Sequence, residues 1–89
     1  MIFYEKAVQK SYSKGEIPER TMKLIHNAFL SLDMTKDLEL FDVKKIKGNY
    51  KRVYYRLRKG KYRALFYYFK KDIYAINISK RDEVYKRWL

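Results

Sequence analysis

The chain contains no cysteine, which excludes disulfides and thiolate zinc sites. It has a single histidine, His26, so a nuclease built on a histidine pair is excluded as well. No His, Asp and Glu residues cluster with the spacing of a metal site, and no metal or other cofactor is expected. Long apolar runs are also missing. The longest, Ala64 to Phe69, falls far short of the roughly 20 residues that span a bilayer. The opening residues, Met1-Ile2-Phe3-Tyr4-Glu5, turn polar too soon for a signal peptide. Together with the absent cysteine, this favours a cytoplasmic protein with no membrane partner. Proline occurs once, at Pro18, and no repeat, linker or low-complexity segment interrupts the 89 residues. That length allows one small domain, 1–89, with one modest core.

Negative charge is scarce, and its distribution is uneven. The net charge is +12, and all of it lies in the second half. Residues 1–41 balance six Lys and Arg with six Asp and Glu, whereas residues 42–89 set sixteen against four. Eleven of the sixteen aromatic residues share that basic half. Cations meet phosphates and aromatic faces stack on bases, so the pattern points to a nucleic-acid partner. A high apolar fraction, 47%, argues for a folded chain despite the charge.

The order of elements reads β-α-α-β-β-β-α, an α+β fold with a small antiparallel sheet and two N-terminal helices on one face. Ile2 to Tyr4 is a short strand. Glu5 to Lys14 and Pro18 to about Leu32 are helices, with Gly15 closing the first and Pro18 opening the second. Met22, Ile25, Phe29 and Leu32 recur on one face of the second helix. Asp37 to Lys47 reads as loop with a short strand. Beyond it the period changes, because Val53, Tyr55 and Leu57 alternate with Tyr54, Arg56 and Arg58. Tyr62 to Phe69 is nearly all apolar, as a central strand covered on both faces would be. Ile73 to Ile78 forms the last strand, and Arg81 to Leu89 a terminal helix.

Two-residue turns at Lys59-Gly60 and Lys71-Asp72 would set Arg56 opposite Arg63 and Arg63 opposite Lys80. Like charges facing each other across strands destabilise a sheet, so such a cationic row implies a bound phosphate. Arg63 stands out because it interrupts an aromatic and aliphatic strand, where a charge is costly unless it is paired or used. Lys44, Lys45, Lys51, Lys70, Lys71 and Arg58 also fit a solvated surface. Tyr54, Tyr67 and Tyr74 are candidates to face substrate, although half-buried sheet tyrosines are common. Trp88 reads as a core cap or partner contact, and His26 falls mid-helix in the neutral half.

Three stretches resemble the RelE/ParE superfamily of toxins, in its RelE branch. They are Lys44-Lys45-Ile46-Lys47-Gly48, then Tyr55-Arg56-Leu57-Arg58-Lys59-Gly60-Lys61-Tyr62-Arg63, then Ile78-Ser79-Lys80-Arg81-Asp82-Glu83-Val84-Tyr85. The resemblance implies a toxin of a type II toxin–antitoxin module. Such a toxin is a ribosome-dependent mRNA endonuclease that cuts the A-site codon by metal-free attack of the 2′-OH on the adjacent phosphate. It also implies a RelB-like acidic antitoxin and the ribosome with its A-site mRNA as partners. Arg56, Arg63, Arg81 and Tyr85 match the branch's active-site positions. Lys44, Lys45, Lys47, Tyr54, Arg58, Lys61 and Lys80 are candidates to contact RNA or ribosome. The chain departs from the family at Tyr54, where several members carry lysine.

Cleavage of this kind needs a base, an acid and stabilisation of a highly charged phosphorus centre. Arginine stays charged and grips phosphate bidentately, so Arg63 and Arg81 are assigned to the phosphate with Arg56 in support. Tyr85 serves as base or acid, or as a stacking platform. Lys80, or a lysine between Lys44 and Lys47, is the alternative proton carrier. A ParE-type gyrase inhibitor shares fold and hairpin motif and is the closest rival. A non-catalytic RNA-binding module ranks below it, because the last helix begins Arg81-Asp82-Glu83 rather than with lysines.

Overall fold

A computed structural model describes residues 1–46, 48 and 51–80. The expected terminal helix, with Arg81, Tyr85 and Trp88, lies outside the described residues, as does Lys47. Within them the chain runs β1 (Ile2–Tyr4), α1 (Lys6–Ser13), α2 (Glu19–Thr35), a 3₁₀ turn (Leu38–Leu40), β2 (Val43–Lys45), β3 (Tyr55–Lys59), β4 (Tyr62–Phe69) and β5 (Asp72–Lys80). The α+β class holds. The sheet has five strands in the order β1-β5-β4-β3-β2. It is mixed, because β1 runs parallel to β5 while the other pairs are antiparallel.

The helices form where the apolar spacing placed them. Gly15 takes a positive φ of 78° just beyond α1, a conformation that costs glycine little. Pro18 caps α2 in extended backbone. Ile25, Ala28, Phe29 and Leu32 of α2 are buried, with Val8 of α1 and Ile17 of the connection. They pack on Leu57, Ala64, Phe66, Ile73, Ala75 and Ile78, which alternate along β3, β4 and β5 and so share one face of the sheet. Phe29 meets Phe66 edge to face at 5.2 Å between ring centres. Each large side chain buried this way contributes about 1.5–3 kcal/mol, so this layer is the source of most of the fold's stability.

The two hairpin registers differ from the expected ones, for separate reasons. The β3–β4 turn is Gly60-Lys61, one residue later, and pairs Lys59 with Tyr62. Gly60 is the first loop residue, and its φ of 57° suits a glycine-led II′-like turn. Arg56 therefore faces Leu65, and Arg63 faces Arg58. The β4–β5 turn is Lys70-Lys71 rather than Lys71-Asp72, with φ of 49° and 74°. A bulge follows, since Phe66 pairs with Ala75 and Leu65 with Asn77, leaving Ile76 as the extra residue. Arg63 consequently faces Ser79, and Lys80 faces Tyr62. The row Arg56–Arg63–Lys80 does not form.

Candidate functional site

Strand alternation sends the residues between the core positions to the second face of the sheet. Arg56 and Arg58 of β3, Arg63 of β4 and Ser79 of β5 share that face at one end. Lys44 of β2 continues the row, opposite Arg56. Arg63 is only 4% exposed, an unusual burial for a guanidinium. Beside it Asn77, 8% exposed, accepts a hydrogen bond from the Ser79 hydroxyl at 2.8 Å. Arg58 and Arg63 are directly cross-strand. That like-charge pair is destabilising by itself.

A carboxylate offsets it. Asp42, immediately before β2, sets Oδ2 2.5 Å from Nε of Arg58 and Oδ1 3.5 Å from Nη2 of Arg56. Asp42 was not singled out in the sequence. The available signal was its scarcity, as one of four acids in the basic half. Its placement depends on the β2–β3 register, which no local pattern reveals. The backbone fixes it, since the amide of Arg58 donates to the carbonyl of Asp42 at 2.9 Å.

The other end of the same face is aromatic. Phe3 of β1 stacks on Tyr74 of β5 at 4.9 Å, and Tyr74 stacks on Tyr67 of β4 at 5.2 Å. Tyr54 meets Tyr67 edge to face at 5.9 Å, and the Arg52 guanidinium lies 4.2 Å above the Tyr67 ring. Leu65 and Ile76 are buried between this ladder and the arginines. Tyr54, Tyr67 and Tyr74 thus share a face with Arg56 and Arg63, and Phe3 joins them from a strand the sequence left without a role.

Not every candidate converges. Lys45 is exposed and faces Tyr55, on the helix side of the pleat. Lys61 is exposed in the first turn. Lys80 pairs with Tyr62, on the helix side of the pleat, and borders a polar recess of about 240 Å³ lined also by Ser11, Glu16, Asn77 and Ser79. His26 lies 2.8 Å from the Tyr4 hydroxyl in the helix layer. Burial raises the Tyr4 pKa well above the usual phenol value. A second recess, of about 470 Å³ between α1 and α2, is lined by Tyr4, Val8, Tyr12, Met22 and His26 and is remote from the cation cluster.

The arrangement defines a class: a helix-backed mixed sheet whose second face carries a buried arginine inside a cation cluster. The chain has the fold of the RelE toxins, as the hairpin resemblance led one to expect. It is similar to RelE in the RelB–RelE antitoxin–toxin complex of Methanococcus jannaschii, with 25% identity over 98% of this chain and 99% of that one, at a TM-score of 0.75. It is also similar in fold to the archaeal RelE–RelB complex from Pyrococcus horikoshii (24% identity, 90% and 92% coverage, TM-score 0.66). A copper-bound mutant toxin from Helicobacter pylori shares the fold at 15% identity, 93% and 96% coverage and a TM-score of 0.74. The sequence matches no protein-family model and no curated protein.

Proposed function

We propose that this chain is the toxin of a toxin–antitoxin pair and that it cleaves mRNA in the ribosomal A site. The observation that carries the reading is Arg63. It is a nearly buried cation on the central strand, set between Arg58 and Ser79 in a fold shared with RelE. A guanidinium in this cation cluster has the paired donors that grip a phosphodiester.

In the proposed reaction the 2′-oxygen attacks the adjacent phosphorus and loses its proton to a base. The bond to the 5′-oxygen breaks, and that oxygen takes a proton from an acid. The products are a 2′,3′-cyclic phosphate and a free 5′-hydroxyl. Arg63 holds the non-bridging phosphate oxygens and stabilises the charge they gain in the transition state. Arg56 supports it. Arg81 and Tyr85 complete the set by family resemblance, with Tyr85 moving a proton or stacking on a base. Lys44, Arg58 and the Tyr54–Tyr67–Tyr74 ladder track the RNA backbone and bases.

The proposed antitoxin is a small acidic protein that folds as it covers the basic face, a pairing that the net charge of +12 favours. The similar solved structures are complexes of RelE with RelB, which supports an antitoxin partner. The substrate assigns the protein to the cytoplasm. Among the described residues no helix is long and apolar enough to cross a membrane.

Primer extension on mRNA stalled in a purified translation reaction tests this reading. The wild type should cut within the A-site codon only when ribosomes are present. Arg63→Ala should cut roughly 100- to 1,000-fold more slowly. An intact message with folded wild type would reject the reading and turn attention to gyrase inhibition.

A further inference from the structure

We infer that Asp42 is a specificity-determining residue, a built-in carboxylate that occupies Arg56 and Arg58 until an RNA phosphate displaces it. The inference rests on the RNA-cleaving reading and adds to it a residue with no counterpart among the assigned positions. The geometry is that of a bridging anion. One carboxylate oxygen addresses Arg58 at 2.5 Å and the other addresses Arg56 at 3.5 Å. A phosphodiester offers two non-bridging oxygens to a pair of guanidiniums in the same way.

The bridge offsets the Arg58–Arg63 repulsion and reaches Arg56, whose side chain is 12% exposed, but its exposed Arg58 arm adds little to stability. The Arg58 side chain is 52% exposed and that of Asp42 is 32% exposed, so their pairing is worth at most about 1 kcal/mol. The effect on a polyanion is larger. Arginines already neutralised by a carboxylate release fewer counterions from RNA. The fold keeps the carboxylate in register, through the Arg58 amide and the Val43–Leu57 pair beside it. Asp72, the other acid of the basic half within the described residues, is engaged with the Met1 amine 2.7 Å away. A protein of charge +12 binds bare RNA indiscriminately unless such a device weakens the contact. On the ribosome the mRNA is held at high effective concentration and displaces the carboxylate there.

The test is fluorescence anisotropy with a labelled single-stranded 2′-O-methyl RNA, which has no free 2′-OH to react, across a salt series. Asp42→Asn should bind about tenfold more tightly at low salt. Its slope of log affinity against log salt should be steeper by about 1.4, for two arginines released onto a single strand. Glu19→Gln, which removes an exposed charge on α2, should stay within about twofold of wild type. Asp42→Ser provides a second removal of the carboxylate should the asparagine variant fold poorly, and the same gain is expected. Equal affinity and slope in wild type and Asp42 variants would refute the role of Asp42 alone. An equal gain in Glu19→Gln would also refute it, leaving net charge as the cause. No binding by any of the proteins would overturn this inference, while ribosome-dependent cleavage is decided separately by primer extension.

Discussion

At the scale of single residues, cost and use can be weighed side by side on β4. Arg63 and Tyr68 are both polar intrusions into a strand that otherwise reads as core. Arg63 has a cation neighbour in Arg58 and a polar one in Ser79, which suits an anion site. Tyr68 has no such justification. Its hydroxyl is buried with no hydrogen-bond partner among the described residues, and burial raises its pKa. The ring itself packs well, edge to face against Tyr55 and Phe66 at 5.9 and 5.8 Å. Tyr68→Phe keeps that packing and removes a desolvated oxygen. It should raise unfolding free energy by about 1 kcal/mol, read from the denaturant midpoint. A clear loss of stability would mean that the hydroxyl has a partner after all.

The elements differ in how far their sequences declare them. α2 was legible because Met22, Ile25, Phe29 and Leu32 mark one face, and three of those four are buried. β4 was legible as a continuous apolar run. The turns were not. The β4–β5 hairpin folds through Lys70 and Lys71, both left-handed, where a reader looks for Asn-Gly. The structure supports this turn from outside, since the Lys36 ammonium donates to the Lys71 carbonyl at 2.7 Å. Replacing Lys70-Lys71 with Asn-Gly should relieve the left-handed strain and stabilise the protein by about 1 kcal/mol in thermal or denaturant unfolding. A destabilised variant would show that the lysine side chains outweigh the backbone cost. The bulge at Ile76 was equally hidden, because Ile76 and Asn77 occupy one face together and break the alternation that a sequence reading relies on. That slip, together with the earlier turn, takes Lys80 away from Arg63; Asp42 is hidden for another reason, the β2–β3 register, whereas the arginines of β3 and β4 keep their face. Their register moved by two residues, and an even shift preserves the side of a strand.

The same corner carries a pH signature. The Met1 amine, Asp33 and Lys36 tie the start of β1 to the end of α2, while Asp72 adds the start of β5. Hydrogen bonding to Asp72, and then Asp33, holds the Met1 amine above its usual pKa of 8.0. Its stabilising share is therefore complete below pH 8.0 and is lost as the pH rises through the raised value. The Met1 amine, and then Lys36, holds Asp33 below its usual 3.8. That share is present above pH 3.8 and is lost as the pH falls through the lowered value. Melting temperature should decline on both sides, and Asp33→Asn should flatten the acid limb. An unchanged acid limb in that variant would remove Asp33 from the account.

For the whole molecule, the division of labour follows the two faces of the sheet. The neutral first half supplies the helices that cover one face. The basic, aromatic second half presents arginines and a tyrosine ladder on the other. Solved RelE–RelB complexes share this fold, and a charge of +12 complements the acidic antitoxin proposed above. The central claim is that Arg63 acts on a phosphodiester of ribosome-bound mRNA. Single-turnover cleavage on programmed ribosomes, comparing wild type, Arg63→Lys and Arg63→Ala, tests it most directly. The account predicts ribosome-dependent cutting by wild type that leaves a 2′,3′-cyclic phosphate. It predicts a large loss in Arg63→Lys, because a lysine keeps the charge but not the bidentate fork, and a larger one in Arg63→Ala. Cleavage at wild-type rate by folded Arg63→Ala would contradict it.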